Sequence, residues 1–459
     1  MTEITKIGRW WEPGQGEQAQ PGVLRIQEDG KASLELIGGF DLRVIEPVER
    51  GYAVGAGSRD IETLFGDCEG EAVTLFRLLE LNNRGVFFGG GQPTFQRLHA
   101  HRVVIGAHIE REQTPSFRSA AIEIENLTAF LAAHIATYDR ADGKNGAFLT
   151  KAVPESVEVD GWTIRADRAT RGFQHKSTRQ GVQLEAEARG VIQAIPPHPA
   201  SLEEFDTLTL ELTDLLTLAA GEACGLIRIT LELTETNTTQ VSQDETIETP
   251  IWVEAFAQRI HTAKPNESAN NSLLFTCAEK PFADTISGWL PLRRKTSNAS
   301  NVFFGTEYSP GGFMETRLIS IGIAAEALHA ALYADAKEVT DEDYKRIKAT
   351  MLAALDDADE RAWVKRTFHN GHTLRQRLRQ LGGVPSAEAL GLLTPDIENW
   401  IGWFIPARNG ITHTGGGAGA EYKLVRIGQA LIRLVYLAEL GLSDEQQVTA
   451  MRRLTSSWL

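Results

Sequence analysis

Near the C-terminus, six consecutive residues carry the types needed to cut RNA without a metal: Arg408, Asn409, Gly410, Ile411, Thr412 and His413. Arginine keeps its charge at any working pH, while histidine changes charge near neutrality. Held together, the imidazole takes the proton of a ribose 2′-hydroxyl, and the guanidinium holds the phosphate as negative charge builds on it. Asn409 is suited to orient the histidine or to bind a phosphate oxygen. Spacing is the difficulty. Five residues of ideal helix sweep ~500°, so Arg408 and His413 stand ~140° apart around one axis. Gly410 offers one escape, a loosened turn. A two-fold dimer offers another, in which each copy presents one segment and the active point forms between them. A glycine run from Gly415 to Gly419 is expected to end the helix just beyond. His413 would then lie in the last turn, where the helix dipole favours the imidazolium.

Other residues compete for attention. Lys365, Arg366, His369, His372, Arg375, Arg377 and Arg379 form a basic run free of acids. It is suited to follow an RNA backbone by counterion release; a solvated helical face is the competing reading. His369 and His372 have a spacing that a metal could use, but no third ligand accompanies them, and no metal or other cofactor is expected. The 415–419 run lacks the lysine and hydroxyl of a phosphate-binding loop, and it reads as a connector. Glu123 and Glu125 alternate with apolar residues and fit one solvated sheet face better than a hydrolytic pair.

The elements that must position these groups differ between the two halves of the chain. The 459 residues suggest two or three domains, of ordinary globular composition. The formal charge is −15. Residues 281–459 hold 20 basic and 20 acidic side chains, so residues 1–280, with 26 and 41, carry the whole imbalance. Such a front half repels phosphate over roughly a Debye length, ~8 Å, and RNA chemistry belongs in the rear. Three widely spaced cysteines, the lack of a signal-like start and the lack of a long apolar run lead to the expectation of a cytoplasmic protein with no membrane association.

Residues 1–280 read as β-rich, in one or two modules divided near 150. Strand patterns occur at 34–37, 73–76, 102–106, 120–125, 156–164, 208–212 and 226–233. Turns are expected at Gly38-Gly39, Gly55–Gly57 and Gly89–Gly91, short helices at 126–131, capped by Asn126, and at 214–219, and a loop or hairpin tip over 234–249. Residues 281–459 read as an all-α bundle. Helical spacing covers 314–334, 341–355, 358–368, 396–408 and 421–440, with Ser386 as a cap and Gly441 as a C-terminal stop. The fold class is therefore α+β multidomain.

The R-N-x-x-x-H pattern at a helix end in an α-helical C-terminal domain resembles the HEPN ribonucleases. Ile323-Ala324-Ala325-Glu326-Ala327-Leu328-His329 is similar to an early HEPN helix. Thr373-Leu374-Arg375-Gln376-Arg377-Leu378-Arg379 resembles the S-x-R-x-R-L helix of the ApeA-type group. The front half also looks like that group, in Trp10-Trp11, Pro21–Leu24, Gly38-Gly39-Phe40 and Val104–His108. The resemblance implies an abortive-infection protein of bacteria that answers a phage-derived trigger by cutting host RNA, tRNA being the expected target. It also implies a metal-independent homodimer or higher oligomer. Arg408 and His413 would be catalytic, Asn409 supporting, and Glu326 and His329 further supporting candidates. Gly410 departs from the family, where a bulkier residue is common. The rival reading is a silent HEPN dimerisation scaffold whose β-rich part binds a ligand or a protein.

Overall fold

The computed structural model describes residues 3–48, 51–84, 93–132, 136–139, 146–149, 154–240, 246–265, 267–268, 272–334, 337–414 and 421–456. The chain divides into two compact units, Met1–Ser287 and Gly288–Leu459. The first contains β1 (Ile4–Trp11), β2 (Gln20–Ile26), β3 (Ala32–Ile37), β4 (Arg43–Val48), β5 (Gly51–Ser58), β6 (Ile61–Cys68), β7 (Glu71–Arg84), β8 (Phe95–Ile105) and β9 (Phe117–Ile124). It continues through α1 (Leu127–Phe130), β10 (Ala136–Asp139), β11 (Gly146–Leu149), β12 (Glu155–Val159), β13 (Trp162–Thr178), β14 (Gly181–Ile195), α2 (Leu202–Ala220), β15 (Leu226–Gln240) and β16 (Thr246–Ala257).

Six strands close on themselves in the order β1-β2-β3-β8-β7-β6, sealed by the β1–β6 and β7–β8 pairings. Closure removes the exposed strand edges that an open sheet would carry. Alternating apolar residues from all six strands fill the interior, among them Trp10, Leu24, Leu34, Leu64, Leu75 and Leu98. One edge of β8 is shared. Phe95–Ala100 pair with β3, and Arg102–Ile105 then pair with β16. The barrel thereby runs on into β16, β15, β9, β14, β13 and β12.

Several sequence expectations change here. Residues 208–212 are not a strand but part of α2, a 19-residue helix opened by a capping box between Ser201 and Glu204. Leu208, Leu210 and Leu212 alternate, but Leu208, Leu212, Leu215, Leu216 and Ala219 form a helical face, and the cap decides between them. Asn126 has a left-handed backbone and no capping hydrogen bond from its side chain; its amide reaches Cys224 Sγ instead. Gly55–Gly57 lie within β5 rather than in a turn. The 234–249 segment is mostly ladder, since β15 runs to Gln240 and β16 restarts at Thr246. Gly89–Gly91 lie outside the described residues.

The helical region comprises α3 (Phe282–Lys295), α4 (Ser297–Tyr308), α5 (Met314–Leu332), α6 (Asp341–Ala353), α7 (Ala358–Thr367), α8 (Leu374–Gly382), α9 (Ala387–Leu393), α10 (Ile397–Thr414), α11 (Glu421–Glu439) and α12 (Asp444–Ser456). The second unit's core gathers around α11, whose Val425, Leu431, Leu434, Val435, Tyr436 and Leu437 are buried. Tyr436 packs among Trp289, Phe303 and Phe304, and its hydroxyl meets Ser300 Oγ at 2.8 Å. A buried ion pair, Arg433–Glu307 at 2.9 Å, ties α11 to α4. Gly441 takes φ +85° after α11, the left-handed stop its sequence position suggested. Helices α6 and α7 form a peripheral hairpin, α6 burying no residue and α7 only Val364. Asn370 closes its base through two hydrogen bonds with the Val339 backbone.

Gly66 makes one of the closest approaches in the barrel. A Cβ there would stand 2.3 and 2.5 Å from ring carbons of the fully buried Trp10. We expect Gly66→Ala to destabilise the first unit by about 1–3 kcal/mol through overpacking, seen as a lower urea midpoint. An unchanged midpoint would mean that the Trp10 ring moves freely.

Candidate active site

Helix α10 carries the motif, and it is continuous through Thr414 with Pro406 inside it. The helix runs six residues past the expected 396–408 span, up to the glycine run expected to end it, so that His413 lies in its last turn, and Gly410 does not open the described backbone. Arg408 and His413 stand ~140° apart around one axis, as regular helix geometry demands. The side chains of Thr412 and His413, and the 415–419 run, lie outside the described residues.

Arg408 lies against α5. A Cβ built on Gly322 would be 3.5 Å from Arg408 Nε and 3.6 Å from its Cγ, so the arginine stem crosses α5 where that helix lacks a side chain. Its Nη2 lies 3.7 Å from Glu326 Oε2, and its Nη1 donates to Asn409 Oδ1 at 3.2 Å. The side chain keeps 21% of its exposure. It is thus oriented by a carboxylate yet open at one side, a state from which a phosphate can recruit it. Asn409 contacts the guanidinium, whereas its sequence position suggested that it orients the histidine or binds a phosphate oxygen.

Glu326 and His329 share a face of α5 at helical i, i+3 spacing. Arg377 of α8 donates to the Glu326 carbonyl at 3.1 Å and to the His372 carbonyl at 3.0 Å. His329 is buried, and its Nε2 hydrogen-bonds Gln380 Oε1, which also meets His372 Nδ1 at 3.0 Å. An amide oxygen only accepts, so both ring nitrogens donate to it. Burial pushes the His329 pKa below its ordinary value, the Gln380 hydrogen bond opposes that shift, and the charges of Arg377 and His372 add to it. A buried, neutral His329 fixes α8 on α5; the structure does not bring it to Arg408 as Glu326 is brought.

The basic run is largely engaged. Arg375 and Arg379 meet Glu398 of α10, Arg375 at 3.6 Å and Arg379 through Nη2 at 2.8 Å. The Arg379 hydrogen bonds hold the Glu398 carboxyl below its usual range. Lys365 and Arg366 are exposed at the end of α7. Glu398, Gln380 and His372 were missed as partners by sequence reasoning. The i, i+4 placement of Arg375 and Arg379 puts both within reach of one carboxylate, but nothing in the sequence singles out α10 as its source. Thiol chemistry is poorly served: burial pushes Cys68 up to about 11 and Cys224 and Cys277 up to about 12. Among the described residues, no group of three or more His, Cys, Asp or Glu is arranged to hold a metal ion. No described helix is long and apolar enough to cross a membrane.

The family model for the ApeA N-terminal domain 1 matches residues 5–289, more than half of the chain. The chain belongs to the ApeA family. The model for the Apea-like HEPN domain matches residues 319–446 and takes in every candidate site residue from Glu326 to His413. No curated protein and no solved structure gives a significant match. The ApeA assignment covers the β-rich region and the helical region alike, and it supports a HEPN protein of anti-phage defence. HEPN domains are usually nucleases, with inactive members among them. In this ApeA chain the geometry supplies an oriented arginine on one side of α10.

The buried His329 has a pH consequence. Its folded pKa is depressed, so the unfolded chain binds the proton first as pH falls below the ordinary 6.5. Its contribution to stability is complete above that value and is lost as pH drops toward the folded pKa. Calorimetry of the full chain between about pH 7.5 and 5 is expected to show a smaller fall in Tm for His329→Gln than for the wild type. Parallel pH profiles would contradict a neutral, buried His329.

Proposed function

We propose that this protein is a metal-independent endoribonuclease of bacterial anti-phage defence, acting by abortive infection on host RNA, with tRNA as the expected substrate. The observation that carries the reading is the R-N-G-I-T-H segment on an unbroken helix within an Apea-like HEPN match, its arginine oriented by Glu326. Asn409 and Glu326 act as supports for Arg408 in this reading. A phosphate of the RNA takes the place of Glu326 as the guanidinium's anionic partner. His413 removes the 2′-hydroxyl proton, and the 2′-oxygen attacks phosphorus. Arg408 stabilises the charge on the phosphorane, and the bond to the 5′-oxygen breaks with protonation of that oxygen by water. The products are a 2′,3′-cyclic phosphate end and a 5′-hydroxyl end. DNA lacks the nucleophile and is not a substrate.

Helical spacing supports a composite site. Since one α10 holds its arginine and histidine positions ~140° apart, the working pair is drawn from two copies of the chain in a two-fold dimer. Lys365 and Arg366, which remain exposed, are available to the RNA backbone.

His413→Ala is expected to leave the fold intact and to lower cleavage by about 10²–10⁴-fold, the usual contribution of a general base, in a gel assay with end-group analysis. EDTA is expected to have no effect. A His413→Ala protein that cuts as well as wild type would leave the HEPN unit a silent scaffold, and loss of activity on chelation would indicate a metal nuclease.

A further inference from the structure

The first unit extends an arm that its core does not explain. Strands β13 and β14 pair from Thr163↔Ile195 out to Thr178↔Gly181, with a bulge between Arg171 and Gln174. Their neighbours stop early. β12 covers β13 only as far as Ala166, and β9 covers β14 only over Ile192–Ala194. The last supports at the root are a hydrogen bond from Gly190 N to Thr128 Oγ1 at 2.8 Å and the Arg189–Glu123 pair at 3.5 Å. From Asp167 outward, each strand has only the other as its described ladder partner, over roughly 35 Å at ~3.3 Å per residue. A lone two-stranded ribbon is marginally stable in water, so its length points to something that it engages.

Its composition says what. Beyond the bulge, from Gln174 to Leu184, there are His175, Lys176 and Arg179 and no acid, inside a 280-residue region that holds 41 acids; Glu185 and Glu187 lie nearer the root, opposite Gln174 and Arg171. His175, Lys176 and Arg179, at the far end, are exposed, and among the described residues none meets a carboxylate. The other long hairpin, β15–β16, has the opposite character, with exposed Glu235 and Glu248 toward its tip. Positive charge is concentrated at the far end of one arm.

We propose that the distal β13–β14 ribbon binds the phosphate backbone of the RNA. An arm of this reach holds its charges several Debye lengths, each ~8 Å, from the acidic body, which would otherwise repel a polyanion. The A-form major groove is too narrow for such a ribbon to read bases, so the contact is made to phosphates and is indifferent to sequence. The identity of the polyanion rests on the ribonuclease reading; the arm and its charge do not.

The test uses full-length protein carrying His413→Ala, so that RNA survives, and fluorescence anisotropy with bulk tRNA from about 50 to about 200 mM salt. Adding His175→Gln, Lys176→Gln and Arg179→Gln is expected to weaken binding at least tenfold and to make the log–log salt slope shallower by about 2, near 0.9 per lost phosphate contact. Glu235→Gln with Glu248→Gln is expected not to weaken it. Unchanged affinity and slope in the triple variant would overturn the proposal, and if that variant also lost its response to infection, the arm would be a receptor for an acidic protein. The two ideas fail separately. Cleavage by wild type with ribbon-independent binding sinks only the arm, whereas ribbon-dependent binding without any cleavage by wild type sinks only the nuclease.

Discussion

The pitch of an α-helix governs this site. Five residues along α10 carry the chain well past one full turn, so Arg408 and His413 cannot face a common point from one regular helix. The described backbone runs unbroken through Thr414, and neither Pro406 nor Gly410 relieves the constraint. Arg408 is committed to the α5 side, over Gly322 and beside Glu326. Under the proposed chemistry, that constraint becomes the reason for pairing two copies rather than an obstacle.

The surrounding helices fix the position of the arginine. Glu326 orients the guanidinium, Arg377 clips the Glu326 carbonyl, and Gln380 joins His329 and His372 so that α8 stays on α5. An ion pair at 3.7 Å with both side chains partly exposed is weak in water. Under the proposed chemistry that weakness suits exchange, since a phosphate with more charge and better geometry would displace the carboxylate at little expense. Glu398 performs a different task by drawing Arg375 and Arg379 toward α10. Much of the sequence's positive run is therefore paired, and its exposed charges that meet no carboxylate among the described residues are Lys365 and Arg366, with a second concentration at the end of the β13–β14 arm of the acidic unit.

The division into a β-rich region and a helical region was legible because period-two and period-3.6 patterns were long and well punctuated. Helices α5, α6, α7 and α11 and the Gly441 stop followed from spacing and caps. Where the reading failed, a local pattern was ambiguous. Leu208, Leu210 and Leu212 alternate, yet the Ser201–Glu204 capping box sets them in a helix. The closed barrel was not legible at all, since closure depends on which distant strands pair, and β8 changes partner midway. At the site, the residue types were readable, but the partners were not: Glu398, Gln380 and Gly322 matter through packing between helices far apart in sequence.

The most direct measurement is complementation between two inactive proteins. Arg408→Ala and His413→Ala chains are purified separately, mixed under conditions that exchange subunits, and assayed for RNA cleavage. If the working pair comes from two copies, half of the random dimers are mixed and each holds one complete site, so activity returns to about one quarter of wild type. A mixture as inactive as its components, with subunit exchange demonstrated, would contradict a site shared across the dimer.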